Sequence, residues 1–409
     1  MSTTPRLRVF VHVGAPKTGT SSVQAALFQN RDALAQQGIL YAADRFDEHF
    51  LAALDLMEMS WGGLEKEAVG SWDRLAERVR EWSGTAIISH EILATATRTQ
   101  VGHVLESLGD AEVHIVFSAR DLVRQIPAEW QETIKHRKVV GYGEFLERIG
   151  SSDRSGRVAS WFWGVQEIPD VLNRWGSTLP PERVHVVTVP RPGAPDGLLW
   201  ERFATVFGID PAAFEPDGDR SNPSLGVAES AVVRRINERI NDSPLPNHYY
   251  RELVREFLAH RTLSRRTDSA RLALPPDVHT WAAELSETWI DSLDRSGYDV
   301  VGSLTELRPD PADPEAFTSP DEPDEAEVSD ASIEAVVAFV EETARLRDVE
   351  TSLRHELDDV RRERDEGWRA AGIIYRSKQR LVRSADHNPL TRFVLGAYRK
   401  VRGRSSRSA

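Results

Sequence analysis

Arg8-Val9-Phe10-Val11-His12-Val13 runs without a break into Gly14-Ala15-Pro16-Lys17-Thr18-Gly19-Thr20-Ser21-Ser22. The first six residues read as a buried strand, Gly14, Pro16 and Gly19 interrupt it, and the hydroxyls of Thr20, Ser21 and Ser22 open a segment with helical apolar spacing. Strand, loop and helix in that order make an anion site. Glycines let backbone N–H groups converge, the helix start adds the positive end of its dipole, and Lys17 adds a full charge. The lysine's position is informative. In the loop that ATP and GTP enzymes wrap around phosphate, lysine follows the last glycine, as G-x-x-x-x-G-K-[ST]. Here Lys17 precedes Gly19, which argues for a different nucleotide.

Outward from this stretch, short β-rich runs alternate with helical patterns from about residue 6 to 307, with strands expected at 8–13, 85–89, 112–118 and 184–189. That alternation predicts an α/β fold, an open parallel sheet flanked by helices, in which ligands gather beyond the carboxyl ends of the strands. The chain of 409 residues, 40% hydrophobic with eleven Trp, is long enough for such a domain plus an appendage. No stretch approaches the ~20 apolar residues of a membrane span, and Met1-Ser2-Thr3-Thr4-Pro5 lacks the features of a secretory signal, so a cytoplasmic location is expected. With no cysteine, disulfides, thiol catalysis and thiolate-ligated metals are excluded, and the twelve His fall in no ligand spacing; no metal is expected.

The net charge of −13 is uneven, because residues 370–409 carry ten Lys/Arg against one acid and leave −22 on the rest. An acidic body does not suit nucleic acid, which is bound by broad phosphate neutralisation. Between Pro309 and Asp330 stand five prolines and nine acids without a base, so 308–330 reads as a disordered acidic linker. Residues 331–369 then show apolar positions at three- and four-residue steps, an amphipathic helix whose length fits a coiled coil and a homodimer; its heptads are irregular, with Arg364 where an apolar residue is due. The basic amphipathic tail, 370–409, suits an anionic membrane surface, which would hold the protein at the inner membrane face, or an acidic partner; a solvated tail is the equal alternative.

Pro16-Lys17-Thr18-Gly19-Thr20-Ser21 resembles the 5′-phosphosulfate loop of the sulfotransferases that use 3′-phosphoadenylyl sulfate (PAPS), whose usual form is P-K-[ST]-G-T-[ST]. The resemblance covers roughly residues 6–300 and implies a P-loop-like fold of the bacterial type. It also implies PAPS as sulfuryl donor, with adenosine 3′,5′-bisphosphate as product, and a hydroxyl- or amine-bearing acceptor such as a glycan, lipid or secondary metabolite. By the same resemblance Pro16 through Ser22 hold the 5′ end. Arg120, after the strand Val116-Phe117-Ser118-Ala119, matches the arginine of the 3′-phosphate site. Ala128 stands where that family has a serine, so one contact to the 3′-phosphate is either missing or supplied elsewhere, with Arg124 and Ser118 as the candidates. The late segment Arg220-Ser221-Asn222 matches the loop that closes over the nucleotide, while Pro223 behind Asn222 also reads as plain helix initiation.

The second strand delivers His90-Glu91, the residue types that take a proton from an attacking hydroxyl. Neighbours at a strand end point opposite ways, so one of the two faces the acceptor; the resemblance to the bacterial sulfotransferases, through the Ser-x-Glu pattern after this strand, narrowly favours Glu91 over His90, and Lys17 completes the catalytic set. Substrate contacts are expected from residues 41–84 and from Trp161-Phe162-Trp163, an aromatic run that reads first as core. Two alternatives stay open: a P-loop kinase-like phosphoryl transferase, opposed by the order of Lys17 and Gly19, and a PAPS-binding module without activity, kept open by Ala128.

Overall fold

The computed structural model describes residues 6–210, 224–313, 315, 317–385, 390, 392–394, 396 and 397. Val9, Phe10 and Val11 are buried on both faces, which makes β1 (Arg8–His12) a central strand. It pairs in parallel with β3 (Thr85–Ser89) on one side and β4 (Glu112–Ala119) on the other. With β2 (Ile39–Tyr41), β5 (Val184–Thr188) and β6 (Asp299–Val301) they form one six-stranded, all-parallel sheet in the order β2-β3-β1-β4-β5-β6.

The four strands expected from the sequence are all present; β2 and β6, three residues each, are too short to show a period and form by pairing with β3 and β5. The chain leaves β1 toward β2 and leaves β4 toward β5, in opposite directions along the sheet. The crevice between the carboxyl ends of β1 and β4 is therefore the switch point at which open α/β sheets bind ligands.

Helices α1 (Thr20–Gln29) and α2 (Arg31–Gln36) lead from β1 to β2, and α3 (Glu48–Leu56), α4 (Glu65–Ala68) and α5 (Ser71–Arg80) fill the stretch before β3. Helix α6 (Arg98–Ser107) precedes β4. Helices α7 (Leu122–Lys135), α8 (Tyr142–Gly150), α9 (Arg157–Gln166) and α10 (Ile168–Gly176) separate β4 from β5. After β5 come α11 (Leu198–Phe207), α12 (Val227–Ile240), α13 (Asn247–Tyr250), a π-helical stretch Arg251–Thr262 and α14 (Pro276–Asp294). One core layer joins Phe10, Leu27 and Ile87 to Phe203 and Phe207 of α11, with the Phe203 ring 4.8 Å from His12 and 5.8 Å from Phe207.

The last helix, α15 (Glu325–Ala385), begins ahead of the boundary read at 331. The acidic stretch before it departs from the disordered linker expected over 308–330, because its acids find partners. Asp321 accepts from the amides of Tyr142 (2.9 Å) and Gly143 (2.8 Å) at the start of α8, and Asp310 pairs with Arg191 at 3.2 Å. Val328, Ala331 and Ala335 are buried, and Glu325 takes a forked pair from Arg235. The chain divides into a first unit ending at Ala335 and a second beginning at Val336, which taken by itself is the remaining length of α15 and the tail. Among the described residues no helix is long and apolar enough to cross a membrane.

Phe203 is fully buried against β1, so Phe203→Ala leaves a cavity at the sheet's centre and is expected to cost about 3–5 kcal/mol. Denaturant unfolding of the variant beside the parent chain measures this.

Candidate active site

The loop after β1 is held by its carbonyls. Gly14 accepts twice from Ser118, from the amide (2.6 Å) and the hydroxyl (2.7 Å), and Ala15 returns its own amide to the Ser118 carbonyl at 3.0 Å. Thr18 Oγ1 donates to the Ala15 carbonyl at 2.5 Å and also meets Ser118 Oγ. The Pro16 carbonyl accepts from Gln125 on α7 (2.5 Å) and Gln166 on α9 (3.4 Å), and that of Lys17 accepts from Arg120 (3.1 Å). Among the described residues the amides of Lys17, Thr18, Gly19, Thr20 and Ser21 donate to nothing, and α1 begins at Gly19 without a side-chain cap or an acid in its first turn. Bound carbonyls and free N–H groups make a concavity that is positive on its open side.

Two glycines are required here. Gly14 has φ 128°, and a Cβ there would lie 3.1 Å from the Glu91 carbonyl; Gly19 has φ 84°, and a Cβ would lie 2.5 Å from the Leu199 side chain.

Arg120 extends from the end of β4 across the switch point. Burial, with Arg124 nearby, pushes its guanidinium down to about 10, and its Nε is buried without a partner. A half-buried cation with a buried, unused donor favours an anion beside it. Arg124 bridges Asp121 and the Pro190 carbonyl (3.2 Å), which leaves only its NH2 nitrogen unpaired. Ser118 is fully buried and spends its hydroxyl on Gly14 and Thr18, so it secures the loop instead of replacing the serine absent at Ala128. Thr18 is likewise buried and internally bonded, whereas Ser21 is exposed at the helix start and Ser22 half-exposed. Arg220, Ser221 and Asn222 lie outside the described residues.

Lys17, with φ 63°, turns toward α7 and donates to Glu132 Oε2 at 2.6 Å. The other oxygen of Glu132 receives Arg255 at 2.8 Å and His136 at 3.1 Å. Burial alone would raise the Glu132 carboxyl, but Lys17, His136 and Arg255 outweigh it and hold it well below the usual range. One turn earlier, Glu129 is buried with fewer compensating contacts: Gln166 donates to it at 3.0 Å, and burial pushes its carboxyl up to about 7. Burial likewise lowers Lys135 to about 8. Gln125, Glu129 and Glu132 recur at four- and three-residue steps on one face of α7, a spacing legible in the sequence but not singled out there. Arg255 comes from a distant segment with no local signal.

At the end of β3, Ser89 is buried, with its hydroxyl 2.8 Å from His12 Nδ1 and its amide donating to His49 at 3.2 Å. Burial pushes His12 down to about 4 and His49 to about 3, so both are neutral supports. His90 Nδ1 accepts from the Ile92 amide at 3.3 Å, so the neutral ring carries its proton on Nε2; the ring lies 5.0 Å from Phe50. Glu91 accepts from Gln24 of α1 at 3.0 Å. Burial opposes its charge, while hydrogen bonds from its own backbone amide and Gln24 favour the ionised form, and the carboxyl lies below its usual range. Between 41 and 84, Trp61 stands 5.5 Å from His136 and 6.4 Å from Trp161. Phe162 and Trp163 are buried in the core, and Trp161 is half-exposed.

Neither a protein-family model nor a solved structure matches the chain. Among curated proteins it is similar to the 4-O-methyl-glucuronoyl methylesterase of Neurospora crassa, 28% identical over 171 residues, which cover 40% of this chain and 43% of the esterase. The chain thus spans less than half the length of that relative.

The raised carboxyl of Glu129 has a consequence for stability. Its folded pKa of about 7 lies above the ordinary 4.5, so the fold favours the protonated form, and this contribution is complete below pH 4.5 and lost as pH rises through 7. Glu129→Gln removes that titration. Its melting temperature relative to the parent is expected to rise between pH 4.5 and 8, worth up to about 3 kcal/mol, whereas parallel curves from thermal scans across that range would contradict the assignment.

Proposed function

We propose that this chain is an enzyme that transfers a sulfuryl group from PAPS to a hydroxyl or amine of an acceptor. The observation that carries the reading is the meeting, at the β1/β4 switch point, of the free amides of Lys17–Ser21 with the half-buried, partly unpaired guanidinium of Arg120. Two anion-seeking groups on successive central strands suit a nucleotide with phosphates at both ends. The donor set fits: the loop amides, Lys17 and the Ser21 and Ser22 hydroxyls would hold the 5′ phosphosulfate, and Arg120 with the NH2 nitrogen of Arg124 the 3′-phosphate. When bound, PAPS supplies an activated sulfuryl group, whose bond to the departing phosphate oxygen breaks as the acceptor oxygen attacks.

The chain's own contribution is positioning and charge. Lys17 must leave Glu132 to face the anion, and Arg255 and His136 remain to hold Glu132 when it does. Glu91, an ionised carboxylate oriented by Gln24, is the base that takes the acceptor's proton. His90, with Nδ1 engaged by a backbone N–H, presents a donor at Nε2 and orients the acceptor. Phosphoryl transfer of the kinase type is not favoured, since Lys17 precedes Gly19 and β3 and β4 end in Ser-His-Glu and Ser-Ala-Arg-Asp. The similarity to an esterase supports enzymatic activity in general. Ester hydrolysis by a serine nucleophile is not favoured, because the sequence contains no G-x-S-x-G.

Calorimetric titration with adenosine 3′,5′-bisphosphate tests the reading. Micromolar binding is expected, weakened roughly 100-fold by Lys17→Ala or Arg120→Ala, the loss of a charge-assisted contact; no binding to the parent chain refutes it. Glu132→Gln frees Lys17 and removes a nearby negative charge, and is expected to tighten the same binding. For the base, Glu91→Gln is expected to abolish sulfation of a responsive acceptor while leaving bisphosphate affinity unchanged, and full activity in that variant would exclude Glu91.

A further inference from the structure

From Val336 onward, α15 exposes a stripe that no described residue covers: Leu346, Val349, Leu353, Leu357, Val360 and Trp368 are each at least 42% accessible. The spacing explains why heptads fail. Leu346, Val349, Leu353, Leu357, Val360 and Arg364 follow steps of three, four and four residues, which repeat every eleven, and the same steps reach Trp368, Ala371 and Tyr375. An eleven-residue period, about 3.67 residues per turn, keeps a stripe on one face of a nearly straight or slightly right-handed pair of helices, where a heptad would wind to the left.

Charge selects the occupant. From Asp330 to Glu342 the helix carries four acids and no base, with Glu334 on Arg266 and Glu342 on Arg345, and from Arg369 to Arg383 five bases and no acid. Between these ends the exposed charges are largely paired within the helix, as in Glu350 with Arg354 at 2.7 Å and Arg362 with Asp359 at 3.2 Å. A surface acidic at one end, basic at the other and balanced between is complementary to itself only head to tail.

We infer that the exposed face of α15 pairs with the same face of a second copy of this chain, antiparallel and centred near Leu357. In that register Leu346 lies opposite Trp368 of the copy, Arg364 opposite Glu350, and the basic segment 372–378 alongside 336–342, which carries Glu341 and Glu342. Parallel pairing in register would set Arg364 against its own copy and base against base. The pairing is wider than the segment 331–369 marked by the sequence, and it gives part of the basic tail a protein partner.

The chain has no cysteine, so single introduced thiols report register directly. In the full chain under mild oxidation, Leu357→Cys is expected to form disulfide-linked dimers with itself. Leu346→Cys is expected to form them only when mixed with Trp368→Cys. Sedimentation equilibrium should give twice the chain mass, and Leu357→Asp should weaken association about 100-fold, by burying charge in the seam, without changing the melting of the α/β unit. Linkage of Leu346→Cys to itself overturns the antiparallel register. A monomeric parent chain overturns the dimer, including one that binds phosphatidylserine vesicles as a monomer.

Discussion

The candidate site depends on one buried tether, the clasp between Ser118 on β4 and the loop after β1. Ser118 supplies an amide and a hydroxyl to the Gly14 carbonyl and meets Thr18, while its own carbonyl takes the Ala15 amide. Backbone groups in a buried loop must find partners, and here the carbonyls find theirs inward. The N–H groups from Lys17 to Ser21 are thereby turned outward without competition. The strongest positive feature of the loop is thus fixed before any ligand arrives, the condition under which oriented dipoles act without reorganisation.

Charge around the loop is arranged as a competition. Lys17 is held by Glu132, which Arg255 and His136 also serve, and Glu129 lies one turn away with its charge suppressed by burial. A second ionised carboxylate beside the loop would oppose an anion, and the environment that keeps Glu129 close to neutral limits that opposition. An incoming anion would exchange one partner of Lys17 for another, and Glu132 would keep Arg255 and His136 in either state. Lys17 is therefore a movable charge on a rigid loop.

The long central strands were legible because Val9–Val11, Ile87–Ile88 and Ile115–Phe117 are continuous apolar runs, the pattern of strands buried on both faces. The edge strands at Ile39 and Asp299 were not, since three residues carry no period and exist only through their neighbours. The loop's glycines and lysine mark an anion site after β1, and the sheet order sets that site at the switch point. Ser118, in sequence one of two candidates for the contact absent at Ala128, is a clasp, because a serine at a strand end looks the same in sequence whether it faces a pocket or the preceding loop. Glu129 and Glu132 were within reach of helical spacing, but their environments, one raised and one depressed, come from Gln166, Arg255 and His136 on other segments. The acids near Asp321 looked like solvated linker and serve as caps and ion pairs, a role set by long-range contact.

The central claim is that the loop's outward amides, together with Arg120, receive a nucleotide phosphorylated at both ends. Backbone amide resonances of Lys17 to Ser21, followed in the isotope-labelled chain during addition of adenosine 3′,5′-bisphosphate or magnesium ATP, test it most directly. The account predicts large downfield shifts of these amides and slowed hydrogen exchange with the bisphosphate, and small changes with ATP. Unmoved loop amides, or an equal response to both nucleotides, would contradict it.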